Sequence, residues 1–110
     1  MSDKEKLIQE LFVCATDLLT EAGVPGYTVD EQQRLKLQVK ALRDRRMRLR
    51  KMNFDQHTAS YADTIAGIDV VTHEMDKSID RINDLVSFFG LTAMLVAAVD
   101  RLIASAVPGA

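Results

Sequence analysis

Residues 23–31, GVPGYTVDE, separate two helix-like stretches of the chain. Gly23 is the residue type favoured just after the end of a helix, and Pro25 prevents that helix from continuing. Thr28 and Glu31 have the spacing of a capping box, in which each side chain accepts a hydrogen bond from the other residue's backbone N–H. This stretch therefore predicts a short connection, after which a second helix folds back on the first.

The stretch before this connection has the pattern of an amphipathic helix. Ser2 and Glu5 form another capping box, and apolar residues then recur three and four positions apart as far as Ala22. We therefore expect helix one over residues 3–22.

The stretch after the connection predicts helix two over residues 29–52. Its inward-facing apolar side chains are Leu35, Val39, Leu42 and Leu49. Arg46 takes the slot between Leu42 and Leu49, where a charged side chain must reach the bundle edge, pair with a carboxylate or await a partner. If helix two folds back on helix three, Asp63 lies opposite this slot, and we expect an Arg46–Asp63 contact.

The second half of the chain carries a heptad pattern, in which apolar side chains alternate steps of four and three residues. The pattern consists of Tyr61, Ile65, Ile68, Thr72, Met75, Ile79, Ile82, Val86, Phe89, Ala93 and Val96. Such a pattern predicts a long third helix with a coiled-coil-like seam. Asp55 is the expected N-cap of this helix, after a turn over residues 53–55.

The length of this pattern requires either a break or a partner. A straight helix over residues 57–107 is about 75 Å long, whereas a domain of this size has a radius of gyration of about 13 Å. We expect a break at residues 87–90, because Gly90 weakens a helix interior, which gives helices over 56–86 and 91–106. The alternative is one unbroken helix whose seam is covered by another chain.

The fold class that these patterns predict is all-α: an antiparallel bundle of three to four helices in a single domain over residues 1–110. A composition of 47% hydrophobic and 27% charged residues is typical of a globular protein. Cys14 is the one cysteine, which excludes an internal disulfide. With no signal-peptide pattern at the start of the sequence, a reducing, cytoplasmic setting is expected.

Basic residues are concentrated in helix two. Residues 34–51 contain nine Lys or Arg against the single Asp44, a net of +8, so the rest of this slightly acidic chain carries −10. The candidate partner-binding residues are Arg43, Arg45, Arg46, Arg48, Arg50, Lys51 and Phe54. A helical hairpin around Gly26 places acids of helix one beside them, so internal pairing is our first interpretation. An acidic protein surface is the second, and nucleic acid is the third.

The sequence contains no pattern that indicates catalysis. Asp69, His73, Asp76 and Asp80 share a helix face, but one helix rarely closes a coordination sphere, so we expect no metal and no cofactor. His57 stands without a catalytic partner, and Cys14 borders an apolar stripe. We therefore expect that the protein is not an enzyme.

The segment over residues 85–99 has no charged residue. At about 22 Å of helix it is shorter than a hydrocarbon core of about 30 Å, so we expect no transmembrane span. An apolar surface of this extent favours self-association, most simply as a homodimer. The expected interface residues are Ile79, Ile82, Val86, Phe89, Leu95 and Val96.

These observations favour a non-enzymatic protein–protein interaction module. In size, acidity and helix content the chain is similar to small secretion chaperones, phage accessory proteins and toxin-neutralising immunity proteins, a likeness of class that transfers no residues. The alternatives are a nucleic-acid-binding protein that uses the basic end of helix two and a helical protein attached peripherally to a membrane.

Overall fold

Four helices lie within residues 2–109, the part of the chain that a computed structural model describes. The helices are α1 (Asp3–Ala22), α2 (Val29–Arg50), α3 (Ala59–Asp76) and α4 (Leu85–Ser105). Two short strands, β1 (Met52–Asn53) and β2 (Val107–Pro108), pair antiparallel and tie the end of the described chain to the α2–α3 connection. The all-α helical bundle predicted from the sequence is confirmed, whereas the strand pair was not predicted.

The N-cap residues of the first two helices are those that the sequence predicts, but only Thr28 and Glu31 form the full capping box. At Ser2 the Glu5 carboxylate accepts from the serine hydroxyl at 3.0 Å instead of from the backbone N–H. The Ser2 hydroxyl accepts a hydrogen bond from the backbone N–H of Glu5 at 3.1 Å. The Thr28 hydroxyl accepts from the N–H of Glu31 at 3.1 Å, and the Glu31 carboxylate accepts from the N–H of Thr28 at 2.8 Å. These bonds satisfy backbone donors that have no partner within the helix, which fixes where each helix begins.

The helices pack as two antiparallel hairpins, α1–α2 and α3–α4, with α1 beside α3 and α2 beside α4. Two contacts give the direction of α2 against α4: the Arg34 guanidinium lies 5.7 Å from the centre of the Phe89 ring, and Arg45 pairs with Asp100. Both helices advance by eleven residues between these contacts, so they run parallel. Helix α2 is therefore diagonally opposite α3.

This arrangement makes the predicted Arg46–Asp63 contact wrong. That contact required helices two and three to form a hairpin. Arg46 instead donates from Nε to the backbone carbonyl of Ile8 on α1 at 3.2 Å. Asp63 lies 3.7 Å from the guanidinium of Arg101 on α4.

The break in the second half of the chain lies at residues 77–84 and not at the predicted residues 87–90. The Ser78 hydroxyl donates to the carbonyl of Met75 at 2.7 Å, where α3 ends. Asp84 then caps α4, because its carboxylate accepts from the backbone N–H of Ser87 at 3.1 Å and from its hydroxyl at 2.7 Å. Gly90, which we expected at the break, lies inside α4 at an exposed position. The bundle therefore measures only 45 × 23 × 20 Å.

The loop changes which residues of the heptad pattern face the core. Ile68 and Met75 on α3 are buried as predicted, whereas Val86 on α4 is 83% exposed. Helix α4 buries the positions one residue earlier: Leu85, Phe88, Thr92, Leu95, Val99 and Leu102. A connection of several residues lets α4 rotate relative to α3, so one seam does not continue through both helices.

The start of α3 also differs from the prediction. The carboxylate of Asp55 accepts from the backbone N–H of His57 at 2.8 Å in a turn, which holds the pKa of Asp55 below its usual value. Thr58 is the N-cap instead, and its hydroxyl accepts from the N–H of Tyr61 at 3.2 Å. Asp55 is unavailable to a helix because its side chain already bonds two residues ahead.

The two loops at the other end of the bundle are joined by a buried hydroxyl. Tyr27 donates a hydrogen bond to the carboxylate of Glu21 at 3.0 Å and accepts one from the backbone N–H of Ile82 at 2.7 Å. All three residues are buried. Gly26, at a φ of 106°, passes so close to Arg81 that an added Cβ would lie 2.8 Å from the Arg81 Cδ.

Candidate functional site

Among the basic residues at positions 43–51, Arg45 is the one that forms an ion pair within residues 2–109. Its Nε lies 2.7 Å from Oδ1 of Asp100 and its Nη2 3.2 Å from Oδ2. Nη1 also donates to the carbonyl of Ala41 at 3.0 Å. The charge of Arg45 is thus paired with an acid of the same chain. None of the other basic residues at positions 43–51 forms an ion pair with a described residue.

Arg46 is half-buried and is held by two contacts with α1. In addition to the bond from Nε to Ile8, its guanidinium carbon lies 4.9 Å from the centre of the Phe12 ring. Burial, and secondly the nearby charge of Arg50, lower the pKa of Arg46 from its ordinary value. Its two terminal nitrogens donate no hydrogen bond to a residue that the structure describes.

These residues border a cavity between the first turns of α1 and the last turns of α2. The cavity has a volume of about 350 Å³ and is lined by Lys4, Glu5, Ile8, Gln9, Arg46 and Arg50. We call it the basic crevice. The sequence predicted only that helix one lies beside the basic residues of helix two. It did not indicate that Arg46 and Arg50 share a cavity with Lys4.

The other candidate partner-binding residues lie outside the basic crevice. Arg43, Arg48 and Lys51 are exposed on α2 and at its end. Phe54 is partly buried against the core and stacks on Tyr61, with the ring centres 6.1 Å apart. Phe54 therefore packs against the core, whereas Arg43, Arg48 and Lys51 are exposed.

The residues predicted for self-association fall into three groups. Ile82 and Leu95 are buried within the chain itself and so are not part of an exposed surface. Phe89 and Val96 are partly buried against the core. Ile79 is 95% exposed and lies in the loop before α4, outside any helix. Val86 is also exposed, and it shares the solvent-facing side of α4 with Ala93 of the heptad pattern and with three residues outside that pattern. We call this the α4 outer face: Val86, Gly90, Ala93, Met94 and Ala97, all exposed.

An apolar groove adjoins the α4 outer face, between α3 and α4. It has a volume of about 400 Å³, its walls include Ala66, Gly67, Val70, Leu91, Met94 and Ala97, and Asp63 and Arg101 also line it. The groove exists because α3 and α4 approach closely at Gly67, where an added Cβ would lie 3.1 Å from Leu95 Cδ1. The sequence signal was Gly67 itself, a glycine inside a helical stretch, which the heptad analysis did not use.

The four residues considered for metal binding are divided between two places. Asp69, His73 and Asp76 line a shallow depression between α1 and α3, whereas Asp80 lies in the loop after α3, because α3 ends at Asp76. Within residues 2–109, no three His, Cys, Asp or Glu side chains are arranged to hold a metal ion.

Cys14 and His57 are placed very differently. Cys14 is buried, which raises the pKa of its thiol to about 11 and leaves the thiol protonated at neutral pH. His57 is exposed beside Asp55, with its Nδ1 3.1 Å from the carboxylate. The thiolate, and not the thiol, is the nucleophilic form of cysteine, so Cys14 is unsuited to nucleophilic chemistry.

The hydropathy of α4 also bears on its environment. The helix has 21 residues and contains an 18-residue window with a mean hydropathy of 1.8, so length and composition alone would allow it to cross a membrane. The buried stripe of α4 packs in the bundle core with the other helices. A core helix meets the same criteria of length and composition as a membrane span.

Comparison with known proteins does not inform the function, so the functional argument rests on the geometry of the surfaces of this chain. No family model matches the chain, and neither a curated protein nor a solved structure matches it.

Proposed function

We propose that this protein is a non-enzymatic protein–protein interaction module, of the adaptor, chaperone or inhibitor kind, that self-associates through the α4 outer face. The observation that carries the proposal is the composition of that face: it has no charged residue between Val86 and Ala97. Met94 is 69% exposed and Val86 is 83% exposed. Contiguous apolar surface of this kind is typical of interaction sites.

A second copy of the chain fits this face better than an unrelated partner, because the charges at its two ends are opposite. Asp84 lies at the N-terminal end of α4 and Arg101 near the C-terminal end, about 25 Å apart along the helix. Hydrogen bonds from Ser87 hold the pKa of Asp84 below its usual value, so its carboxylate is charged at neutral pH. An antiparallel second copy brings each Arg101, which also lies 3.7 Å from Asp63 of its own chain, to the Asp84 of the other copy.

This arrangement is isologous, since the same patch is used on both copies. The midpoint between Asp84 and Arg101 places the two-fold axis near Ala93. Gly90, Ala93 and Ala97 lie around that axis, and their small side chains let two helices approach closely. The larger Val86 and Met94 then pack on either side of the contact.

Sedimentation equilibrium at micromolar concentration tests the proposal. Met94→Glu places a charge in the interface and should convert a dimer into a 12.3 kDa monomer. The matched control is Leu37→Glu, because Leu37 is 62% exposed on α2 and lies away from the interface. A monomeric unmodified protein, or equal effects of both substitutions, would contradict the proposal.

Two alternative functions are tested by other binding measurements. A nucleic-acid-binding function is favoured by Arg43, Arg46, Arg48, Arg50 and Lys51, none of which pairs with an acid in the described chain. It requires affinity for DNA or RNA better than micromolar at about 150 mM salt, with a steep dependence on salt. Membrane attachment is favoured by the hydropathy of α4 and requires co-flotation with anionic liposomes. We expect neither result.

A further inference from the structure

We propose that the basic crevice binds a carboxylate side chain from an acidic segment of a partner protein, with Arg46 as the central ligand and Arg50 and Lys4 beside it. This inference rests on the proposed interaction function and names the partner chemistry at a surface separate from the α4 outer face. Of the nine basic residues at positions 34–51, it selects Arg46 and Arg50, which share one cavity with Lys4 of α1.

Two contacts with α1 fix the orientation of the Arg46 guanidinium. Its Nε donates to the Ile8 carbonyl at 3.2 Å, and the Phe12 ring covers one side of the guanidinium at 4.9 Å. These contacts consume one of the five N–H groups and leave the end-on edge, Nη1 and Nη2, without a protein acceptor in the described chain. A guanidinium edge held in this way matches the two oxygens of a carboxylate, which accept two parallel hydrogen bonds.

The surroundings of Arg46 add charge to this edge. Arg50 lies one turn further along α2, about 6 Å along the helix axis, and Lys4 lies across the crevice on α1. The Arg50 side chain contacts Met47, with Nη1 3.7 Å from Sδ, and makes no ion pair with a described residue. A half-buried guanidinium beside another cation is electrostatically unfavourable until an anion is bound, because each charge raises the free energy of the other.

A neighbouring acid indicates which anion fits. Glu5 lines the same crevice. A nucleic-acid backbone presents a continuous row of phosphates and would meet this carboxylate as well as the bases. A protein segment with one or two carboxylates can place them against Arg46 and Arg50 while its uncharged residues pass Glu5.

Fluorescence anisotropy with a labelled glutamate-rich peptide and the full chain tests the inference. We expect Arg46→Met and Arg46→Lys each to weaken binding by about tenfold or more, since lysine keeps the charge but lacks the two-nitrogen edge. Arg50→Gln should weaken binding by about threefold, as expected of a more exposed contact. The matched control is Arg48→Gln, which removes the same charge from an exposed position of α2 outside the crevice.

Three results would overturn the inference. The peptide could fail to bind, Arg48→Gln could weaken binding as much as Arg50→Gln, or a duplex DNA could bind more tightly than the peptide and depend on Arg46. The same peptide with glutamine in place of glutamate should not bind. Circular dichroism of each variant checks folding, and Arg46→Lys and Arg50→Gln keep the test informative if Arg46→Met unfolds. A dimer that does not bind the peptide contradicts this inference alone, whereas a monomer that binds it contradicts only the proposed self-association.

Discussion

The guanidinium of Arg45 and the carboxylate of Asp100 form a two-point contact between α2 and α4, with nitrogen–oxygen distances of 2.7 and 3.2 Å. The next residue, Arg46, faces α1 and pairs with no acid in the described chain. Successive residues on a helix point about 100° apart, so two adjacent arginines meet different neighbours. One arginine therefore joins the two hairpins, while the other borders the basic crevice.

This contact predicts a measurable contribution to stability. Asp100→Asn should lower the free energy of unfolding by about 1–2 kcal/mol, because the pair is partly buried and two-pointed. Asp44→Asn serves as the control, since Asp44 forms an exposed ion pair with Lys40 on the same helix and should contribute about 0.5 kcal/mol or less. Urea denaturation measures both, and equal losses would show that the Arg45 contact has no special role.

The Tyr27 hydroxyl should contribute strongly to the free energy of unfolding. Tyr27→Phe leaves the buried N–H of Ile82 and the buried carboxylate of Glu21 without this partner, so we expect a loss of about 2–3 kcal/mol. Tyr61→Phe is the control, because the Tyr61 hydroxyl makes no hydrogen bond to a described residue. Thermal and urea denaturation should leave the Tyr61→Phe variant nearly unchanged, and a comparable loss there would refute the role given to Tyr27.

The same hydroxyl predicts a dependence of stability on alkaline pH. Burial raises the pKa of Tyr27 to about 12, above its ordinary value of about 10. The unfolded chain therefore loses this proton first, so the stabilisation is complete below pH 10 and is lost as the pH rises towards 12. Urea denaturation across this range should show a steeper fall for the unmodified protein than for Tyr27→Phe. Parallel curves would contradict the assignment.

Two glycines should respond oppositely to a larger side chain. Gly67→Val should destabilise the protein by about 1–3 kcal/mol, because an added Cβ already lies 3.1–3.3 Å from Leu95. Gly90→Ala should stabilise it by about 0.5–1 kcal/mol, since nothing lies within 4 Å of an added Cβ and alanine favours a helix. Melting temperatures in a Met94→Glu background separate these effects from self-association. Destabilisation by Gly90→Ala would contradict a continuous α4.

The features that the sequence predicted correctly depend on local interactions. The N-caps at Ser2 and Thr28 and the stop after Ala22 involve residues a few positions apart, so the bounds of α1 and the start of α2 could be predicted. The break before α4 was misplaced because Gly90 was weighed as a helix breaker. Its cost of about 1 kcal/mol is smaller than the gain of about 1.5–3 kcal/mol from burying a side chain such as Phe88.

The features that the sequence did not predict depend on how helices pack against one another. Arg46 and Asp63 have the right separation for a hairpin, but the bundle places α2 and α3 on a diagonal. The basic crevice required the same knowledge, because Lys4 and Arg50 come together only when α1 and α2 are aligned. A helical pattern gives the apolar face of each helix without stating which helix covers it.

Disulfide cross-linking at Ala93 tests the central claim of antiparallel self-association most directly. In a Cys14→Ala background, Ala93→Cys places the sole cysteine near the proposed two-fold axis, where the two copies of one residue meet and a disulfide can form. Under mild oxidation we predict a covalent dimer that a reducing agent converts back to monomer. We predict no covalent dimer for Leu37→Cys in the same background. Monomers for both variants, or equal cross-linking of both, would contradict the account.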